Sequence, residues 1–212
     1  MQSSVDVLSA ALIVSTSWLI AVRYIASAVK WLSFQSLMLA LMTSAIAYET
    51  HRVELYWIAL LTLVIKAWII PMILYRVLKR VGINRQAQIV ASRDKLILGV
   101  LIMWIIGYYV IPTGNVLGGS HIFLAVSIGM LLSGVLVMVT HQKALMQGMG
   151  LIVIENGLFL AALSTSLGMP LLVDIGIFID VLVVVILIAF LTLRMDEEFS
   201  SMHIGKLRRL RG

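Results

Sequence analysis

Apolar runs of about twenty residues follow one another along nearly the whole of this 212-residue chain, and that pattern leaves few folds open. A helical crossing of a bilayer needs about twenty apolar residues. Runs at 5–22, 28–48, 54–78, 95–112, 119–140, 145–164 and 171–194 meet that measure. Inside lipid every backbone N–H and C=O must be satisfied within the protein, which restricts crossings to helices and closed barrels. No period-two alternation competes with the long runs. Charged residues make up only 12% of the chain and hydrophobic ones 61%, where a soluble domain carries about a quarter charged. The chain therefore reads as all-α, a polytopic transmembrane helix bundle of about seven spans. Residues 1–194 form one transmembrane domain and 195–212 a cytoplasmic tail.

The basic residues set the expected orientation. Of sixteen Lys and Arg, Lys66 lies inside a span and Arg52 at the opposite end from the rest. With the N-terminus outside and the C-terminus cytoplasmic, the other fourteen fall at cytoplasmic ends or loops, as the positive-inside rule asks. The pI near 9.8 is thus a matter of topology, and nucleic acid is not an expected partner. No Lys or Arg precedes the first apolar run, so it lacks the basic n-region of a cleaved signal peptide and reads as a retained helix. The absence of cysteine removes disulfides, thiolate-held iron–sulfur clusters and cysteine nucleophiles together. The loop 79–94 and the tail are short, basic and polar, suited to anionic lipid or a cytoplasmic partner. The loop 110–120 is uncharged and Gly-rich, a tight outer turn.

Three ionisable side chains, Lys66, Glu155 and Asp180, each sit near the middle of a different run. A charge at the bilayer centre costs about 2.5–3.5 kcal/mol on insertion scales, and such groups face a bundle interior or water. Lys66 lies twelve residues after Glu54, about 18 Å along a helix. Pro71 follows it, and a proline there leaves the carbonyl of Ala67 without its usual N–H and tends to kink the helix. Glu155 lies twelve residues after Lys143, at a similar depth. Asn156 beside it offers an amide donor and acceptor, and Gly157 removes bulk where another helix can approach. Asp180 is the midplane acid of the last span, with Asp174 nearer its outer end. Gln35, Ser36, Thr43 and Ser44 read as hydrogen-bonding groups between helices. His121 and His141 bracket the fifth span and read as interfacial. Trp18, Trp57 and Trp104 fall within reach of aromatic belts. The four histidines are too scattered for a haem or metal site, and no dinucleotide, phosphate-loop or nucleophile-elbow motif is present. No catalytic centre is expected on this chain, and no metal or other cofactor.

Four stretches carry a family resemblance: QSLML at 35–39, IKAWIIPMIL at 65–74, IENGLFLAAL at 154–163 and VDIGIFID at 173–180. With them the chain resembles component E of hydrogenase-4, a membrane subunit of formate hydrogenlyase-type complexes built on group 4 [NiFe] hydrogenases. The part 119–194 also looks like the three-helix K subunit of respiratory complex I. In that comparison Gly150, Leu151 and Asn156 match, Ile152 stands where that family has its buried Glu, and Glu155 falls three residues later. Asp180 stands at the second buried carboxyl, shortened from Glu.

The resemblance implies a cofactor-free subunit in the inner or plasma membrane of a prokaryote. It would couple redox chemistry elsewhere to proton or Na+ movement through Lys66, Glu155 and Asp180. Its partners would be antiporter-like and other membrane subunits and a hydrophilic hydrogenase module that holds the Ni–Fe and iron–sulfur centres. An autonomous small ion transporter and a purely structural bridging subunit are the alternative readings.

Overall fold

A computed structural model describes residues 2–81, 92–111 and 121–166, together with Leu182, Val185 and Ile186. The expected seventh span, the tail 195–212, most of the loops 79–94 and 110–120, and the acids Asp174 and Asp180 lie outside the described residues. What is described is helical throughout, with no strand among the described residues. The helices are α1 (Gln2–Ala21), α2 (Ile25–Thr50), α3 (Val53–Leu61), α4 (Ile70–Val81), α5 (Arg93–Val110), α6 (His121–Thr140) and α7 (Ala144–Ser166). Between α3 and α4 the chain winds as a π-helix, Thr62–Ile69, so that 53–81 is one continuous rod. Among the described residues four helices are long and apolar enough to cross a membrane: Ile25–Thr50, Val53–Lys79, His121–Thr140 and Ala144–Thr165.

The π-helix has a local cause. Pro71 has no N–H to give back to Ala67, and its ring crowds that carbonyl. The chain upstream widens its turns, and the N–H of Ile70 reaches the carbonyl of Ile65, five residues back. Such widening is one way a membrane helix resolves the backbone groups that a proline displaces. The Ala67 carbonyl, expected to lie unpaired, instead accepts the hydroxyl of Ser33 on α2 at 2.6 Å. At the other end of the rod, α2 stops at His51, which takes the left-handed conformation (φ 53°) and turns the chain into α3.

Glycine decides how α5, α6 and α7 meet. A Cβ on Gly134 of α6 would stand 2.7 Å from the carbonyl oxygen of Gly150 on α7, and one on Gly150 would stand 2.8 Å from that of Gly134. A Cβ on Gly157 would meet the carbonyl of Ser127 at 2.9 Å, and one on Gly107 of α5 that of Ala125 on α6 at 2.7 Å. Gly150 and Gly157, two turns apart, thus share the face of α7 that lies on α6. Close backbone approach of this kind replaces the hydrophobic driving force that lipid removes. Trp104 of α5 lies over Gly129 and donates its indole N–H to Ser17 of α1 at 3.0 Å. It makes a helix–helix contact between α5 and α1.

The buried core falls into two apolar clusters. One gathers Leu19, Ile25, Leu32, Leu74, Val137 and Met149 with their neighbours. The other gathers Leu12, Leu39, Ile46, Leu55, Met130 and Leu160 with theirs. The two α2 sets flank Gln35 and Ser36, the two α1 sets flank Ser15 and Thr16, and the two α7 sets flank Glu155 and Asn156. A polar layer therefore divides the core across its middle. Large apolar side chains such as Trp57, Trp68, Leu98, Ile105, Tyr109 and Val139 are turned outward and exposed, a surface suited to lipid and not to water.

Candidate functional site

Lys66 is 1% exposed and sits within the π-helix. Its ammonium donates to Oε1 of Glu155 in a direct ion pair and to Oδ1 of Asn156 at 3.1 Å. It also stands 5.2 Å from the ring centre of Phe159, within the range in which a ring face attracts a cation. Glu155, Asn156 and Phe159 lie within one turn of each other on α7, away from the glycine face that packs on α6. Because Gly150 and Gly157 fix that face against α6, the acid and the amide point toward α2 and the rod.

The polar contacts continue beyond the lysine. Asn156 Nδ2 donates to Oε1 of Gln35 on α2 at 3.1 Å. Gln35 Nε2 donates to Oγ1 of Thr16 on α1 at 2.5 Å, and the Thr16 hydroxyl donates to the carbonyl of Leu12 at 2.7 Å. Gln35, Asn156 and Thr16 have no exposed surface. A train of side chains thus crosses four helical segments at one depth: α7, the π-helix, α2 and α1. Among the described residues, Oε2 of Glu155 and the hydroxyls of Ser36 and Ser133 are buried without a hydrogen-bond partner. Buried polar atoms of this kind usually meet ordered water.

Lys66, Glu155 and Asn156, which stand out in the sequence, meet in the structure. Pro71 acts one step removed, through the π-helix that carries Lys66. Asp180 and Asp174 lie outside the described residues. Gln35 enters as the interhelical hydrogen-bonding group its position suggests, with the ion pair at the end of its contacts. Thr16 and Phe159 give no signal in the sequence, since a lone threonine or phenylalanine in an apolar run is ordinary. His141, read as interfacial, is 1% exposed in the turn between α6 and α7. Its Nδ1 lies 3.0 Å from both the Thr140 hydroxyl and the Val137 carbonyl, and burial holds its pKa below the ordinary imidazole value. His121 is partly exposed and meets the Ile111 carbonyl at 3.1 Å. No group of three or more His, Asp or Glu side chains is gathered among the described residues.

Two charges this far from solvent need each other. Burying an ion pair gains little stability over apolar packing, whereas removing one partner costs about 3–5 kcal/mol in soluble proteins. The pair therefore either pins the register of two helices or exchanges a proton. The contact suits exchange: donor and acceptor touch, and no atom stands between them.

No protein-family model and no solved structure matches the chain. Over 75 residues it is 39% identical to an uncharacterized protein, Rv0085, of Mycobacterium tuberculosis, a match that takes in 35% of this chain and 34% of that protein. The chain thus spans about a third of the length of the relative it matches.

Proposed function

We propose that this chain is a cofactor-free membrane subunit of a hydrogenase or formate hydrogenlyase-like, complex I-related assembly. It couples redox chemistry on partner subunits to the movement of H+ or Na+ across a prokaryotic cell membrane. The observation that carries the reading is the Lys66–Glu155 ion pair, buried in a polar layer between two apolar clusters. Each charge biases the protonation of the other, so a change of charge next to this layer is passed along it. The proposed pathway also takes in Asp180, and antiporter-like subunits supply the groups at either end. Seven spans, with the N-terminus outside and the C-terminus cytoplasmic, place the basic loops against the hydrophilic module.

The satisfied state of the Lys66 ammonium favours a second reading, a structural bridge whose charges never titrate. Glu155→Gln separates the two, because glutamine keeps shape and hydrogen bonding but cannot titrate. In membranes with matched subunit levels, coupled ion movement should fall about a hundredfold or more, the range for losing a positioned proton-transfer group. Wild-type coupling in that variant would leave only the bridge.

A further inference from the structure

One carbonyl fixes the sense of the hydrogen bonds that lead from α1 to Lys66 through Gln35 and Asn156. Leu12 O can only accept, so the Thr16 hydroxyl commits its single proton there. The Thr16 oxygen is left as an acceptor, and Gln35 Nε2 donates to it. That holds the Gln35 amide with Oε1 toward α7, where Asn156 Nδ2 donates to it. The other end of the Asn156 amide, Oδ1, therefore faces Lys66 and accepts from its ammonium. Were Asn156 turned over, its NH2 group would face the ammonium, donor against donor. A buried amide is free to turn unless its neighbours hold it.

We propose that Gln35 is a positioning residue for the Lys66–Glu155 pair: anchored on Thr16, it holds Asn156 with its acceptor toward Lys66 and so keeps the proton on the lysine. The step it opposes is a simple transfer. An N–H bond of Nζ breaks, an O–H bond forms at Oε1 of Glu155, and ammonium and carboxylate become amine and carboxylic acid. No other reactant is consumed. The inference rests on reading this pair as the charge switch of the proposed function, and it assigns the switch a resting state, the ionic one. It also gives α1 a part in the site, because Thr16 is the anchor of the train.

Infrared difference spectra of the full-length protein in lipid nanodiscs at neutral pH test the assignment. The readout is the C=O stretch of a protonated carboxyl, attributed to Glu155 by its loss on adding Glu155→Gln. Wild type should show no such band. Gln35→Leu should show it, with the neutral pair gaining at least about tenfold, the ordinary result of losing a hydrogen bond to a charged group. Thr16→Val should give a smaller part of the same change. A merely structural role for Gln35 would move the melting temperature and leave this band absent. Folded Gln35→Leu with no Glu155 band overturns the proposal, and if that variant does not fold, absence of the band in Thr16→Val does so. Normal ion movement in Glu155→Gln would end the coupling function and leave these spectra unchanged, so the two ideas fail separately.

Discussion

At the scale of single residues, the charges inside the apolar runs speak loudest and the neutral polar groups hardly at all. Lys66 and Glu155 stand out in the sequence because a lone charge in lipid is so unfavourable that a partner must exist. Gln35 and Thr16 carry no such penalty, and nothing local shows that they belong to one train. Their partners are 121 and 19 residues away from Gln35, so only the packing of helices brings them together. The ion pair predicts an asymmetry between two substitutions at Lys66. Lys66→Met leaves Glu155 buried without a counter-charge, and a loss of about 3–5 kcal/mol is the expected scale. Lys66→Arg keeps the charge but cannot give up its proton usefully. Coupled ion movement should therefore be abolished in the Met variant and partly kept in the Arg variant, with the remainder insensitive to pH. Equal activity in the two, measured across pH, would remove the electrostatic role.

The helices themselves were legible because long apolar runs favour helix, though only four of those described are long and apolar enough to cross a membrane. The α helices and the rod fall on the first six apolar runs to within a few residues at their ends. The π-helix was only half legible. Pro71 announces a disturbed backbone, but whether the answer is a kink, a water or a widened turn depends on Ser33, 34 residues from Ala67. Pro71→Ala tests what the proline does for the site. It restores an N–H that can satisfy Ala67 and lets 62–69 relax toward ordinary α turns. Relief of an interior helix proline is favourable, and a gain of about 1 kcal/mol raises Tm by about 2–4 °C in a chain of this size. Relaxation also rotates Lys66 away from Glu155, so coupling should fall while thermal stability in detergent rises. A variant that is stabilised and fully coupled would show that the wide turns do nothing for the lysine.

At the scale of the whole molecule, which helices touch was not legible, since nearly every face of every helix is apolar. Glycine pairs and one polar layer decide the packing, and both depend on register that the runs do not encode. The turn between α6 and α7 adds a pH response outside the spans. Burial lowers the pKa of His141, opposed by the hydrogen bond to Val137. The folded protein thus resists protonation there, while an unfolded chain accepts it at about 6.5. This part of the stability is fully present above that pH and is lost as pH falls through it toward the lower folded value. Melting temperatures in detergent should drop on acidification through this window, and His141→Gln should flatten the response. An unchanged slope would exclude the histidine as its source. One mechanical consequence follows from the glycine contacts. Glu155 rides on a hairpin whose two backbones approach closely at Gly134, Gly150 and Gly157. Lys66 rides on the one described stretch wound in wide turns. The acid is the stator of this device, and any stroke it makes belongs to the lysine.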